Sequence, residues 1–351
     1  MNYIGSKASL LDFLENTILG VTGKSEGNFC DLFAGTGSVG SHFKKLGFSV
    51  TANDSQYYSY VLNKHYIQTN SSPEFQGLFR HLPGLSDHPI KTRGQFVCDT
   101  LSALPEKEGF VYRHYCPAGS KNGIERHYFS DENGLKCDAI RQEIEAWYTD
   151  GALRESEYFF LLTSLIEAVD RIANTASVYG AFLKKLKKSA QRPLKLKAAP
   201  IISSTQTHHA HHADANTLIQ TLSPDILYLD PPYNQRQYGA NYHVLETIAK
   251  YDNPVVYGKT GLRKDPASKS RYCSKINVKH AFSSLLDQTN APYIFLSYNN
   301  EGLLSPGDIR TLMEKKGPYH CFSTPHTRFK ADSNRQYRHT QTIEYLHVLS
   351  R

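Results

Sequence analysis

The sequence Asp230-Pro231-Pro232-Tyr233 places a carboxylate, a rigid turn and an aromatic ring side by side. The residues before it, 226–229, are hydrophobic without helical spacing, which predicts a short buried strand. Two prolines cannot extend a strand, so the strand ends there. Ligands of open α/β sheets bind at the carboxyl ends of strands. The tetrapeptide therefore indicates a ligand site, although a plain strand end followed by a Pro-Pro turn is the alternative for these residues alone.

A glycine-rich loop forms the second candidate site. It joins a predicted strand at residues 29–33 to a predicted helix, and the next predicted strand, residues 48–53, ends at Asp54. The loop contains Gly35, Gly37 and Gly40. This order of elements begins a nucleotide-binding βαβ unit, in which glycines admit a ligand to the backbone and the acid binds ribose hydroxyls. A plain tight turn is the alternative for the glycines alone.

Asp31 bears on which cofactor this loop would hold. NAD and S-adenosylmethionine both contain an adenosine whose ribose would meet Asp54, so the glycines do not separate them. A dinucleotide places a pyrophosphate against the loop, where a nearby acid is unfavourable. Asp31 stands just before the loop and suits the ammonium group of a methionine moiety. The sequence therefore favours S-adenosylmethionine over NAD.

Length and composition limit the classes of protein to which the chain can belong. Its 351 residues predict two domains or one domain with a large insertion, and 40% hydrophobic residues support a sizeable core. A net charge of +7 permits a polyanionic partner. No signal peptide or membrane span is predicted, and the six scattered cysteines suggest reduced thiols in a cytoplasmic protein.

The middle of the chain, residues 67–200, lacks the alternation of strands and helices found on either side. Amphipathic patterns predict helices at residues 138–148 and 156–172. A basic stretch without acids follows them: Lys184, Lys185, Lys187, Lys188, Arg192, Lys195 and Lys197. Because aromatic residues precede these cations, nucleic-acid contact is as strong an interpretation as a merely solvated face.

Three further loops have a composition that suits contact with a polyanion. The loop after Tyr233 is polar, aromatic and glycine-containing, as mobile active-site loops are. The loops around residues 259–275 and 328–339 are basic. The candidates for DNA contact in the first two loops are Arg236, Tyr238, Tyr242, Lys264 and Arg271. Residues 208–212 contain four histidines, but only Asp214 lies at ligand spacing beside them, so a polar loop is predicted there and no metal site.

With these pieces in order, the chain resembles the Dam-like, α-group DNA adenine methyltransferases. Residues 3–7 are similar to that family's N-terminal cofactor segment, although the family often has Trp at the position of Tyr3 and Gly at that of Ser6. Residues 31–37 resemble its glycine motif, and residues 230–233 resemble its catalytic tetrapeptide. An insertion between these two motifs is the mark of the α-group.

The resemblance implies a fold, a cofactor and a substrate. The fold is a Rossmann-like, α/β sheet of an S-adenosylmethionine-dependent methyltransferase, formed by residues 1–66 and 201–351. Residues 67–200 would form a mostly helical target-recognition region. The implied cofactor contacts are Tyr3, Lys7, Asp31, Phe33, Gly35, Gly37, Asp54 and Asp214. Double-stranded DNA is the implied partner, and a restriction endonuclease acting separately is compatible with this reading.

The implied reaction methylates the exocyclic amine of adenine, whose lone pair is delocalised into the ring. Asp230 and the carbonyl of Pro231 would accept hydrogen bonds from that amine and aim its lone pair out of the plane. Pro232 completes the rigid turn, because proline fixes the backbone. The ring of Tyr233 would stack on the base. The base must first leave the duplex, and the basic loops would offset that cost.

Several alternatives stay open at this stage. Methylation of the cytosine N4 amine poses the same chemical problem, although Ser-Pro-Pro-Tyr is the commoner tetrapeptide there. RNA is a second alternative substrate. An NAD-dependent oxidoreductase would explain the glycines but leaves Asp230 and the basic loops without a role. A non-enzymatic DNA-binding protein would not need the tetrapeptide.

Overall fold

A computed structural model describes residues 5–119, 124–265, 269–327 and 341–351. The strands of these residues are β1 (Asn28–Asp31), β2 (Ser49–Asn53), β3 (His209–His211), β4 (Ile226–Leu229), β5 (Val256–Tyr257), β6 (Leu262–Arg263), β7 (Tyr293–Asn299), β8 (Tyr319–Thr327) and β9 (Gln341–Ser350). Seven of them form one sheet in the order β3-β2-β1-β4-β7-β9-β8. The predicted α/β class is thus confirmed.

The direction of the strands determines where this sheet binds ligands. β3, β2, β1, β4 and β7 are parallel, whereas β9 is antiparallel to both of its neighbours. From β1 the chain proceeds outwards through β2 to β3 and then returns to β4 on the other side. The strand order therefore reverses between β1 and β4, and open sheets bind ligands at such a point. Asp31 ends β1 there, and Asp230 follows β4 directly.

The hydrophobic sequence of β4 follows from burial on both faces. Leu227 and Leu229 belong to the core cluster on one side of the sheet, and Ile226 and Tyr228 belong to the cluster on the other side. All four side chains are inaccessible to solvent. A parallel strand covered on both faces has no solvent face that would call for alternating polar residues.

The helices of the described residues are α1 (Leu11–Thr22), α2 (Ser38–Lys45), α3 (Tyr57–Asn63), α4 (Ile90–Ala103), α5 (Phe110–Tyr115), α6 (Asp131–Thr149), α7 (Glu155–Ile172), α8 (Ala215–Leu218), α9 (Tyr238–Asn241), α10 (His243–Lys250), α11 (Val278–Gln288) and α12 (Pro306–Glu314). α6 begins earlier than the hydrophobic pattern predicts, because the hydroxyl of Ser130 caps it by accepting from the Asn133 N–H at 3.3 Å. None of these helices is long and apolar enough to cross a membrane.

The chain forms two compact units. One draws on Thr69–Ile201 and Ala240–Asp265, and the other on Ile4–Gln68, Ile202–Gly239 and Pro266–Arg351. The second unit contains the seven-stranded sheet. The first, called the insertion unit here, contains α4 to α7, α10 and the β5–β6 hairpin. Residues 240–265, which sequence analysis grouped with the sheet, thus pack with the insertion.

Two buried asparagines fix the basic loop that follows α7 in the insertion unit. Asn174 donates to the carbonyls of His127 and Leu183 and accepts from the Lys187 N–H, all within 3.0 Å. Asn133 donates to the carbonyls at 190 and 192 and accepts from the Leu194 N–H at 2.7 Å. The loop is therefore held in one path by side chains, since its backbone forms neither helix nor strand.

The histidine segment is a strand, so the predicted polar loop was wrong. His209–His211 forms β3, an edge strand parallel to β2, and Ala210 between the two histidines is buried. His208 is also buried, and its Nδ1 accepts from the Val50 N–H at 3.0 Å. Buried residues therefore alternate with more exposed ones along 208–211. The sequence does not reveal this alternation, because three of these four residues are histidines. Within the described ranges, no three His, Cys, Asp or Glu side chains are arranged to hold a metal ion.

Candidate active site

Four side chains from three distant segments converge at the carboxyl end of β4. The ammonium of Lys7 lies 3.0 Å from Asp230 Oδ1 and 3.0 Å from Glu344 Oε1. It also donates to the hydroxyl of Tyr233 and stands 4.9 Å from the centre of that ring. Lys7 and Glu344 are 5% and 3% exposed, whereas Asp230 is 16% exposed. Asp230 is thus the carboxylate of this cluster that a ligand can reach.

The charges of this cluster are unbalanced in favour of the carboxylates. Burial raises the pKa of Asp230 to about 6; Lys7 opposes this shift and Glu344 adds to it. Burial alone would lower the pKa of Lys7, but Asp230 and Glu344 raise it above its usual value. Lys7 is therefore always protonated. Among the described residues of this cluster, one ammonium lies between two carboxylates, so the carboxylates outnumber the cation.

The ring of Tyr233 is fixed by its neighbours. It meets the ring of Tyr298 edge-on, with 5.2 Å between the ring centres, and packs against the hydrophobic core. Its carbonyl accepts from the Leu303 N–H at 2.9 Å. Tyr298 lies in β7, so the strand beside β4 and the turn after it determine where the ring stands. A fixed ring loses little conformational freedom when a planar ligand stacks on it.

The glycine loop is held by the acid that was predicted to bind ribose. Asp54 accepts from the Gly35 N–H at 2.9 Å and from the Gln56 N–H at 2.8 Å, one on each carboxylate oxygen. Gly37 has φ +77°, and a side chain on it would come within 2.7 Å of Asn63 Oδ1. Glycine is therefore required there by both conformation and space.

Asp31 has a free acceptor that matches a cationic ligand. It is buried, and one oxygen accepts from the Gly40 N–H at 3.1 Å. The other oxygen, Oδ1, has no hydrogen-bond partner among the described residues. Burial, with the charge of Asp230, raises the pKa of Asp31 to about 8. An ammonium group at Oδ1 would supply the missing donor and the missing positive charge.

Three carboxylates line this edge of the sheet, at the ends of β1, β2 and β4: Asp31, Asp54 and Asp230. A pyrophosphate is unfavourable beside such a group, whereas a cation is favourable and would ionise Asp31, whose pKa is raised to about 8. S-adenosylmethionine carries both a sulfonium and an ammonium, so the residues present fit this cofactor and disfavour a dinucleotide.

Comparison with known proteins decides the family. The sequence profile of the D12 class N6 adenine-specific DNA methyltransferases matches residues 3–312. The chain belongs to this family.

Relatives that match along the whole chain are named as Type II methyltransferases. The chain is 50% identical to the Type II methyltransferase M.NlaIII of Neisseria lactamica, and the match covers 100% of this chain and 99% of that protein. It is 34% identical to the Type II methyltransferase M.CviAII of Paramecium bursaria Chlorella virus 1, over 94% of this chain and 93% of that protein. The match to M.FokI of Planomicrobium okeanokoites, at 39% identity, spans 99% of this chain but 51% of that larger protein.

Membership of the D12 class establishes the reaction. The enzyme transfers a methyl group from S-adenosylmethionine to the N6 amine of adenine in DNA. The predicted substrate base and cofactor are confirmed. The readings as a cytosine-N4 methyltransferase and as an NAD-dependent oxidoreductase are excluded.

Two other residues predicted to contact the cofactor follow the carboxyl ends of β1 and β3. Phe33 meets the ring of Tyr272 edge-on at 4.9 Å. Asp214 caps α8 by accepting from the Thr217 N–H at 3.1 Å. Asp214 also lies 3.2 Å from Nη2 of Arg271, so a predicted cofactor residue and a predicted DNA residue form one exposed ion pair. Tyr3 lies outside the described residues.

The residues predicted to contact DNA differ in exposure. Those at the surface are Lys184, Lys185, Lys188, Arg236, Lys264 and Arg271. Tyr238 is partly buried, and Lys187 donates its ammonium to the Thr175 carbonyl at 2.8 Å. Tyr242 is fully buried, so its side chain offers no surface to DNA in this conformation. The basic segment 328–339 lies outside the described residues.

Sequence reasoning missed several polar residues that build this D12 site. Glu344 is the second partner of Lys7, and its signal was a lone acid inside a hydrophobic strand. Asn53 donates to the carbonyls of Leu32 and Ala213 at 3.1 and 3.2 Å, which joins the ends of β1 and β3. Asn63 donates to the Gly35 carbonyl at 3.0 Å. The two asparagines gave no sequence signal, because their partners are backbone atoms.

Proposed function

We propose that this enzyme is the modification methyltransferase of a Type II restriction-modification system. It acts on double-stranded DNA, flips the target adenine out of the helix and works separately from its restriction endonuclease. The Type II relatives support the biological role. The observation that carries the mechanism is the exposed edge of Asp230, which lies beside the fixed ring of Tyr233 in a buried, negatively charged cluster.

The tetrapeptide orients the adenine amine. The Asp230 carboxylate and the Pro231 carbonyl accept its two hydrogens, so the nitrogen becomes pyramidal and its lone pair leaves the ring plane. Pro232 fixes the direction of the Pro231 carbonyl, because a residue before proline is held in extended backbone. Tyr233 stacks on the base, and base–aromatic stacking contributes about 1–3 kcal/mol.

Asp230 has a second task as the reaction proceeds. The new nitrogen–carbon bond would form as the carbon–sulfur bond of the sulfonium breaks, so the amine nitrogen would gain positive charge until it releases one proton. A preorganised negative charge in a site with little water stabilises that charge without reorganisation. Because burial raises the pKa of Asp230 to about 6, its ionised form predominates at neutral pH and is lost below pH 6.

The carboxyl edge of the sheet holds the cofactor. Bound S-adenosylmethionine supplies an electrophilic methyl group on its sulfonium. Asp31 receives the ammonium through its free oxygen, and Asp54 receives the ribose hydroxyls. Gly35 and Gly37 bring the loop backbone close, while Phe33 and Asp214 border the adenine. Lys7 binds no cofactor group in this proposal, because its ammonium is engaged by the tetrapeptide cluster.

The insertion unit supplies DNA affinity and sequence recognition. Flipping a base out of a duplex costs a few kcal/mol. Exposed lysines on a loop with a fixed path offset that cost through phosphate contacts. Lys184, Lys185 and Lys188 are the contacts proposed there, and Lys264 is the contact proposed after the β5–β6 hairpin. Arg236 and Tyr238 follow the tetrapeptide and are proposed to close over the flipped base.

Methyl transfer to a defined adenine tests the proposal. Long-read sequencing of DNA from cells that express the enzyme identifies the methylated site. A duplex with 2-aminopurine in place of that adenine should then gain fluorescence when the enzyme binds, because the base leaves the stack. Asp230→Asn should lower kcat by about 10²-fold or more while DNA binding persists.

Asp287→Asn is the matched control, because Asp287 is an exposed aspartate paired with Lys316 outside the site. It should leave the rate unchanged. Methylated adenine without any 2-aminopurine fluorescence change would refute base flipping. An unchanged rate for Asp230→Asn would refute the assignment of the tetrapeptide.

A further inference from the structure

We infer that Glu344 is a positioning residue for methyl transfer: it shares Lys7 with Asp230, so that the cluster facing the substrate amine keeps a net negative charge. This inference rests on the proposed role of Asp230. Among the described residues, Glu344 pairs with the ammonium of Lys7 and accepts from the hydroxyl of Ser297. It acts through Lys7, whose ammonium it contacts at 3.0 Å.

Glu344 is built into the sheet in a way that aims it at Lys7. It lies on β9, opposite Asn299 of β7 and Thr324 of β8. Its Oε1 accepts from the hydroxyl of Ser297 on β7 at 2.9 Å, and Ser297 is fully buried. A carboxylate that is 3% exposed on a central strand has few other positions available. The ammonium of Lys7 therefore bridges β9 to the end of β4.

The number of charges explains why two carboxylates are needed. If Asp230 were the sole partner of Lys7, the buried ion pair would be neutral, and the carboxylate would offer little to a nitrogen gaining positive charge. With Glu344 present, one ammonium faces two carboxylates. The surplus negative charge resides where a ligand can reach it, on Asp230. A buried ammonium also needs several acceptors to offset its desolvation.

The other titratable groups near Asp230 do not supply this charge. In the part of the chain that the structure describes, the groups that face it are Lys7, Asp31, Tyr228, Tyr233 and Glu344. Burial holds the pKa of both tyrosines well above the usual value, so they are neutral. Asp31, with its pKa raised to about 8, is largely protonated at pH 7 before the cofactor binds. After burial, which has the largest effect on the pKa of Asp230, Lys7 and Glu344 are thus the charges that shift it most.

Glu344→Gln tests the inference, because the amide keeps the shape and the acceptor but removes the charge. The expected result is a fall in kcat on the order of 10-fold or more, with KM for DNA and for S-adenosylmethionine within about twofold of wild type. The acid limb of the kcat profile should move to lower pH, because Glu344 no longer raises the pKa of Asp230. A residue needed only for folding would not move that limb.

A measurement without turnover supports the same conclusion. In ligand-free enzyme labelled with carbon-13 at the aspartate carboxyls, the Asp230 resonance is identified by its loss in Asp230→Asn. Its titration midpoint should be lower in Glu344→Gln than in wild type. Glu314→Gln is the matched control, since Glu314 is an exposed glutamate paired with Arg310 on α12. It should change neither the midpoint nor kcat.

The possible outcomes separate this inference from the proposed function. Unchanged kcat and midpoint in a folded Glu344→Gln variant would overturn it, as would a rise in KM with kcat unchanged. If that variant does not fold, Glu344→Asp offers a second test, because it retains the charge. It should show the wild-type acid limb of the kcat–pH profile with a reduced kcat, and a displaced acid limb would also overturn the inference. An Asp230→Asn variant that methylates normally would instead refute the proposed role of the tetrapeptide.

Discussion

Replacing Asp31 by Asn should stabilise the ligand-free enzyme and abolish its affinity for the cofactor. Asp31 is buried, and its pKa is raised to about 8 by that burial and by the charge of Asp230. In the unfolded chain the group has its ordinary pKa of 3.8. Between these values the folded protein binds a proton that the unfolded chain has released, so the free energy of unfolding falls as pH rises from about 4 to about 8.

The magnitude follows from the proton that folding must take up. At pH 7, protonating a carboxyl whose ordinary pKa is 3.8 costs about 4 kcal/mol, at about 1.4 kcal/mol for each pH unit. Asparagine has the shape of the protonated acid, and its carbonyl can still accept from the Gly40 N–H. Asp31→Asn should therefore raise Tm by roughly 5–10 °C at pH 7, and the difference should shrink towards zero near pH 4.

The assay is thermal unfolding of ligand-free protein between pH 4 and pH 8, with and without S-adenosylhomocysteine, which keeps the ammonium group. Wild type should gain Tm with this ligand, whereas Asp31→Asn should not. Asp225→Asn is a control whose effect on stability should have the opposite sign. A hydrogen bond from the Asn28 N–H and the charge of Lys24 lower the pKa of Asp225, so removing its carboxylate should destabilise the protein above pH 4. An Asp31→Asn protein that is less stable at pH 7, or that still binds the ligand, would refute the reasoning.

Two further predictions concern the bound base and the DNA. Tyr233→Ala should lower kcat/KM by about 5- to 150-fold in steady-state assays, because stacking is worth about 1–3 kcal/mol. Tyr233→Phe should retain most activity. Equal losses in the two variants would assign the effect to the hydroxyl that accepts from Lys7. Replacing Lys184, Lys185 and Lys188 together by Gln should reduce the slope of log K for DNA binding against log salt concentration by about 3, as measured by fluorescence anisotropy titrations. Lys91→Gln on α4 should leave the slope unchanged. An unchanged slope in the triple variant would show that these lysines do not contact phosphates.

The sequence was most informative where one short segment contains all the residues that define a structural element. β1, the glycine loop, β4 and the tetrapeptide were predicted close to their observed bounds, because each joins a hydrophobic run to a turn of special composition. Local patterns of this kind are independent of the rest of the fold.

Features that depend on distant partners could not be predicted. Glu344 looks like an isolated acid until β9 pairs between β7 and β8 and brings it to Lys7. Asn174 reads as an ordinary loop residue, although it holds three backbone groups of the basic loop. Tyr242 resembles its neighbour Tyr238 in the sequence, yet tertiary packing buries it completely.

The place of β9 in the sheet has a consequence for how the enzyme is synthesised. It is the last of the described strands along the chain, yet it lies between β7 and β8. A nascent chain that has emerged as far as β8 already contains Asp230 and Tyr233, but it lacks both the strand that completes the sheet and the second partner of Lys7. Such late, non-local pairing slows folding. Methylation capacity should therefore appear only after translation has passed β9, and a prematurely terminated chain would not modify DNA.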